Sequence, residues 1–230
     1  MHLAIIPARG SSKRIPRKNL MPFAGRPLIA YPLVAARSSG LYDEIHVSTD
    51  DPEIAEVAAA EGCPPRFARA VGLSDDHTGL LEVLRWVARE YERLGETIET
   101  VSLIYATTPL LTAEDLRRGF ALFEQNGAAA PVLAVAEYPV PAQWAAVVGG
   151  DGRLQFLDFA ATQNRSQDLP KTYYDAAAFN IYGRAHLLGT ATADLAYLPY
   201  VLPRLRVTDI DTPEDLAFAE QLYRFARTGA

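Results

Sequence analysis

One cysteine in 230 residues, Cys63, leaves no partner for a disulfide within the chain and fits a reducing compartment. Cys63 sits in Glu61-Gly62-Cys63-Pro64-Pro65, a loop-like context that suits an inert small residue better than a nucleophile. Long apolar runs are absent. Leu3 to Ile6 is too short for the apolar core of a signal peptide, and no stretch approaches bilayer length, so the expected protein is soluble, cytoplasmic and not bound to membranes. Positive charge is scarce: the net charge of -6 argues against a non-specific nucleic-acid binder. The four histidines, His2, His46, His77 and His186, show no metal-ligand spacing. Neither a nucleophile elbow nor the glycine spacing of a Walker A or dinucleotide loop occurs.

What remains is 49% hydrophobic and 22% charged, enough apolar material for a single-domain core over 1–230. Short apolar runs alternate with helical periodicities. Strands are expected at Leu3–Ile6, Glu44–Ser48, Val101–Tyr105, Ala129–Ala136 and Ala176–Tyr182, with further strand signal at Leu205–Val207. Helices are expected at about Pro27–Ser39, from a cap at Asp50 or Asp51 to Gly62, at Gly79–Leu94, from Thr112 to about Gln125, and from Thr212 to about Arg227. Pro32 is expected to kink the first helix or delay its start. This alternation predicts an α/β fold with a mostly parallel, Rossmann-like sheet flanked by helices. Ligands of such sheets bind beyond the carboxyl ends of the strands, which here are the loops after Ile6, Ser48 and Tyr105. Residues 137–171 break into short segments and read as a small irregular insertion, a lid or a dimerisation arm.

An acidic protein that binds an anion must concentrate its cations. The loop Pro7-Ala8-Arg9-Gly10-Ser11-Ser12-Lys13-Arg14-Ile15-Pro16-Arg17-Lys18-Asn19 carries five basic residues directly after the first strand. Gly10 and the serines leave backbone N–H groups open to an anion. A triphosphate needs such donors, because burying its charge unpaired is prohibitive. The plain alternative is a solvated basic turn. Asp209-Ile210-Asp211 places two carboxylates on one side of an extended segment, a hard-oxygen pair suited to Mg²⁺. Taken alone, the pair is better explained as a strand end with Asp211 capping the last helix. Ser48-Thr49-Asp50-Asp51 is explained by capping, and Tyr105-Ala106-Thr107-Thr108-Pro109 serves equally as a sugar contact or a plain loop. Arg165, in Asn164–Pro170, could clamp a carboxylate with its planar fork or make a surface salt bridge.

Together these residues resemble the acylneuraminate cytidylyltransferase family along nearly the whole chain. The most specific pieces are Ile6-Pro7-Ala8-Arg9 and Ser12-Lys13-Arg14-Ile15-Pro16-Arg17-Lys18-Asn19. Ser74-Asp75-Asp76, Thr107 to Pro109 and Asp209-Ile210-Asp211-Thr212 follow in the family's order. Ile104 to Thr107, Arg165 to Pro170 and Tyr174-Asp175-Ala176 resemble its pseudaminic acid branch. Departures occur at Gly10-Ser11, where two glycines are usual, at Ala177-Ala178, and at Asn180.

The resemblance implies a nucleotide-diphospho-sugar transferase fold, a homodimer, and transfer of CMP from CTP to an acidic sugar with Mg²⁺. Arg9, Lys18 and Asp211 would be catalytic. Ala8, Arg9, Gly10, Ser12, Lys13, Lys18, Asn19, Arg69, Ser74, Asp76 and Thr78 would hold the nucleotide. Tyr105, Thr107, Arg165, Gln167 and Asp175 would meet the sugar acid. Asp209 and Asp211 would carry the metal, which reverses the capping reading of that pair.

Overall fold

Leu3, Ala4, Ile5 and Ile6 are wholly buried, and this continuous apolar run forms an interior strand, parallel to both of its neighbours. The computed structural model describes residues 1–12, 14–75, 78–189 and 196–228. In chain order the elements are β1 (His2–Pro7), the two-residue strands β2 (Pro22–Phe23) and β3 (Arg26–Pro27), and α1 (Ala30–Ser39). Then come β4 (Glu44–Ser48), α2 (Pro52–Ala60), α3 (Leu80–Arg93), β5 (Thr100–Ile104) and α4 (Ala113–Gln125). The second half holds β6 (Val132–Glu137), β7 (Ala146–Val148), β8 (Leu154–Phe156), β9 (Tyr173–Gly183), α5 (Arg184–Leu188), β10 (Leu198–Val201) and α6 (Pro213–Thr228).

Six strands form the main sheet in the order β10-β6-β9-β5-β1-β4. The pairs β1–β4, β1–β5 and β10–β6 are parallel, while β9 runs antiparallel to both β5 and β6. The expected mostly parallel sheet is therefore present with one reversed strand. Its two faces bury separate clusters. One gathers Ile6, Leu33, Phe120 and Phe179, and the other Leu3, Ile5, Leu84 and Tyr91 from β1 and α3. Burying each such side chain contributes about 1.5–3 kcal/mol. Among the described residues no helix is long and apolar enough to cross a membrane.

Several boundaries differ from the sequence expectation, each for a physical reason. The first helix starts at Ala30 rather than near Pro27, because Arg26–Pro27 pairs with Pro22–Phe23 as a small hairpin. Pro32 then lies in the first turn, where its missing N–H has no helical partner to lose. Leu205–Val207 is not a strand: Arg204–Arg206 is a 3-10 turn. The strand lies earlier, at Leu198–Val201, where Pro199 lowers its strand signal. Proline is tolerated there because β10 is an edge strand. The reciprocal cap expected at Thr112 and Asp115 is present, with aspartate in the usual glutamate place.

Strand β9 slips by three residues against β6 between its pairings with Val135 and Leu133. At this irregularity Ala177 adopts φ 46°, a left-handed conformation, and the Asp175 carboxylate accepts its N–H at 2.8 Å. Its Cβ is strained there, so Ala177→Gly is expected to raise stability by about 0.5–1 kcal/mol after the entropic cost of glycine. Urea midpoints measured at unchanged m-value would check it.

Candidate active site

The loop after β1 is fixed by its own backbone before any side chain acts. Ala8 N–H donates to Ser48 O at 2.9 Å, tying the loop to the end of β4. Asn19 is buried, and its amide donates to Arg9 O at 3.0 Å, closing the loop at its far end. Gly10 N–H donates to the Asp50 carboxylate at 3.3 Å. A Cβ on Gly10 would fall 2.6 Å from Asp51 Oδ2 and 2.9 Å from Asp51 Cβ. Asp51 cannot yield freely, because its other oxygen caps α2 by accepting from Glu53 and Ile54 N–H. Gly10→Ala is therefore expected to cost about 1–2 kcal/mol of stability, with α2 losing its cap. A Tm that matches the parent protein would contradict this packing.

A cleft of about 320 Å³ opens at this rim, lined by Arg9, Ser12, Arg14, Lys18, Asn19 and Arg69 on one side. Asp75, Thr78, Tyr105 and Thr107 line the other. Arg9 donates to Asp75 O at 3.1 Å, bridging the two walls. The Asp75 carboxylate holds Thr78 through its N–H and its hydroxyl, both at 2.7 Å. Arg69 is buried and donates to the Ser48 hydroxyl at 3.0 Å and to Ser48 O at 2.5 Å. Burial pulls its pKa below the ordinary arginine value, and Arg9 pulls in the same direction against Asp50. Such a guanidinium gains from any acceptor that enters the cleft.

The acidic pair meets the basic loop directly. Lys18 Nζ donates to Ile210 O at 2.6 Å and to Asp211 Oδ1 at 3.0 Å, across 192 and 193 residues of sequence. Arg14 reaches the other Asp211 oxygen at 2.5 Å. Ile210 is buried, so the flanking carboxylates face out of the core as the alternation predicted. Asp211 does not cap the last helix. Thr212 and Asp215 do, with Asp215 N–H donating to the Thr212 hydroxyl and Asp215 Oδ2 accepting from Thr212 N–H. The Asp211 carboxylate is thereby left to Lys18 and Arg14. Burial, and then the Asp211 charge, raise the Asp209 pKa above the ordinary carboxylate value. A pair of neighbouring carboxylates is an oxygen donor set of the kind that suits a hard divalent cation. No group of three or more candidate metal ligands occurs among the described residues.

The remaining expected residues divide. Ala8 and Gly10 shape the loop without lining the cleft, and Ser74 precedes Asp75 in its wall. Lys13 and Asp76 lie outside the described residues. Arg17 is turned away from the cleft and pairs with Glu53 at 2.7 Å and Asp51 at 3.4 Å. Asp175 lies close enough to Tyr105 to raise its pKa, after burial, towards about 12, with Asp209 acting likewise. Arg165 and Gln167 are not brought to the cleft of their own chain. Arg165 pairs with Asp168 at 2.7 Å, and Gln167 lines a separate groove beside Tyr138 and Pro170.

Two contributors were missed by the sequence reading. Arg14 belongs to the site, and its place in the basic loop was the available signal. Asp115 was read only as a helix cap. It is buried and accepts from Tyr200 OH at 3.0 Å and from Arg206 at 2.6 Å, anchoring the segment that leads to Asp209. Nothing local in the sequence marks an ion pair across 91 residues.

Comparison with known proteins matches this architecture. A family model described as cytidylyltransferase covers residues 3–225. The chain belongs to the cytidylyltransferase family. It is 39% identical to the pseudaminic acid cytidylyltransferase of Campylobacter jejuni, over 97% of this chain and 96% of that one. It is 30% identical to the CMP-N,N'-diacetyllegionaminic acid synthase of Legionella pneumophila, over 96% of this chain and 95% of the relative. Its fold is shared with a CMP:2-keto-3-deoxy-manno-octonic acid synthetase solved with CTP, at TM-score 0.70 and 16% identity, covering 98% of this chain and 99% of that one. In this cytidylyltransferase the basic loop lines the cleft, and Lys18 and Arg14 tie it to Asp211.

Proposed function

We propose that this cytidylyltransferase transfers CMP from CTP to the anomeric hydroxyl of a nonulosonic acid, pseudaminic acid first among them, in the cytoplasm. The observation that carries the reading is the Lys18 ammonium joining the post-β1 loop to Asp211 at the mouth of a cleft walled by Arg9, Arg14 and Arg69. Nucleotidyl transfer needs this juxtaposition of phosphate-binding cations and a carboxylate pair. The name and 39% identity of the Campylobacter relative support the acid.

In this reaction the sugar hydroxyl attacks the α-phosphorus in line and pyrophosphate leaves. The protein supplies position and charge rather than covalent chemistry. Arg9 and Lys18 hold the triphosphate and stabilise the leaving pyrophosphate. Asn19 holds the nucleoside, while Arg69, Asp75 and Thr78 receive the cytosine. Tyr105, Thr107 and Asp175 flank the acceptor. Asp209 and Asp211 would hold Mg²⁺, which when bound screens the phosphate charge and favours ionisation of the attacking hydroxyl.

We also propose a homodimer. The arm of residues 137–171 exposes Val148 at 70%, Leu157 at 70% and Phe159 at 67%, an apolar surface that calls for a cover. A second copy is favoured because Arg165, the chain's candidate clamp for the sugar carboxylate, is outside its own cleft. Reaching the partner's cleft would give it that role.

Pyrophosphate release with CTP tests the reaction. Pseudaminic acid is expected to show a higher kcat/KM than legionaminate, N-acetylneuraminate or KDO, with turnover lost on chelation of divalent cations. Binding of CTP without pyrophosphate release for any acid would replace this reading with a non-catalytic nucleotide-sensing domain.

A further inference from the structure

Asn180 is an anomaly of the sheet interior. It sits on β9 between Leu103 of β5 and Leu133 of β6 and is 6% exposed. Asparagine is depleted in strands, and a hydrocarbon would fit between two leucines without the cost of desolvating an amide. Its Nδ2 donates to the Tyr182 hydroxyl at 3.0 Å. Its Oδ1 is buried with no hydrogen-bond partner among the described residues. A half-satisfied buried amide is poor for stability, so its selection points to what it holds.

What it holds leads to the cleft. Residues 180 and 182 share one face of the strand. Tyr182 is itself buried and meets Tyr197 edge-on, with ring centroids 6.4 Å apart. Tyr105 and Tyr197 pack on the cluster that contains Tyr182. The Tyr105 backbone is fixed to the same strand, its N–H donating to Ala178 O at 3.0 Å. The Tyr105 phenol then forms part of the cleft wall, beside Asp175. Asn180, Tyr182 and Tyr197 thus lead from the sheet interior to the cluster on which Tyr105 packs.

We propose that Asn180 is a positioning residue for the acceptor: it fixes the Tyr182 hydroxyl, and Tyr182 with Tyr197 holds the Tyr105 wall against which the sugar acid seats. This rests on the reaction proposed above and concerns the sugar half of the site alone. The CTP half is built from the loop after β1 and the stretch from Arg69 to Thr78, whereas the Asn180 amide donates to Tyr182.

Two variants test it. Asn180→Leu removes the amide at similar volume, and Tyr182→Phe removes the acceptor hydroxyl while leaving Asn180 in place. Each is expected to raise KM for pseudaminic acid about fivefold or more, with KM for CTP unchanged within about twofold. The double variant should equal the worse single one, because both break the same link. Asn180→Leu should keep or raise Tm, since it removes an unpaired acceptor. A sugar KM within about twofold of wild type in the folded variants overturns the proposal. So does a parallel rise in both KM values with a fall in Tm, the pattern of a structural role. Should Asn180→Leu fail to fold, Tyr182→Phe decides alone. Wild-type protein inert towards every acid removes the reaction and this inference together, whereas active wild type with unchanged variants removes only the inference.

Discussion

Asp209→Asn is expected to lower kcat/KM about 100-fold or more while leaving the folded protein no less stable, and above the acidic range more stable, than the parent. The two effects have one origin. Asp209 lies on an exposed stretch beside Asp211, and partial desolvation followed by that like charge raises its pKa above the ordinary value. The native state therefore penalises ionised Asp209 relative to the unfolded chain. That penalty is absent at pH below the ordinary aspartate pKa, grows as pH rises towards the raised folded value, and is complete above it. Asparagine keeps the shape and never ionises, so the Tm difference between variant and parent should appear with rising pH and vanish in acid. Arg14 and Lys18 offset part of the penalty, and Asp209 feels both as lowering influences. Activity moves the other way under the proposed metal role, because an ionised carboxylate pair is what a divalent cation would require. Thermal melts from acid to neutral pH, with pyrophosphate assays on the same samples, check both halves. Near-parental turnover would remove Asp209 from the machinery. A Tm deficit at neutral pH would show that Arg14 and Lys18 more than compensate the carboxylate.

How much of this was readable beforehand follows from how far apart the cooperating residues lie. The basic loop was legible because its cations are contiguous and follow an apolar run that can only be a buried strand. The alternation of strands and helices gave the parallel sheet for the same reason: each element's periodicity is local. Leu198–Val201 escaped because Pro199 suppresses strand signal, and only its edge position in the finished sheet excuses the proline. Asp211 illustrates the limit at the site. Its local sequence reads as a helix cap, and that reading fails only once Thr212 and Asp215 take the capping role and Lys18 arrives from 193 residues away. Arg17 shows that a place in the basic run does not decide a role: with its backbone left-handed at φ 56°, it pairs with Glu53 and Asp51. Arg165 was legible as a candidate carboxylate clamp, but not as one that sits outside its own cleft.

That last mismatch gives the second large effect, a complementation between two inactive proteins. Arg165→Ala breaks the arm and Lys18→Ala breaks the cleft, and each alone is expected to lose about 100-fold or more in kcat/KM. Neither change touches the apolar arm surface of Val148, Leu157 and Phe159, so both chains should still pair. Co-expression with two different tags and tandem purification isolates the mixed dimer. In that dimer one cleft carries intact Lys18 from the first chain and receives intact Arg165 from the second, while the other carries both defects. If the arm serves the partner, the mixed dimer should regain about half of the wild-type activity per dimer, since one of two symmetry-related sites is whole. If Arg165 serves its own chain, every cleft retains one defect and the mixed dimer stays as inactive as its parents. A monomer in solution at assay concentration would remove the trans arrangement outright. Arg165→Lys sharpens the assignment. Lysine keeps the charge but loses the planar fork, so a true carboxylate clamp should be impaired by lysine as well, with the loss falling on the sugar acid rather than on CTP.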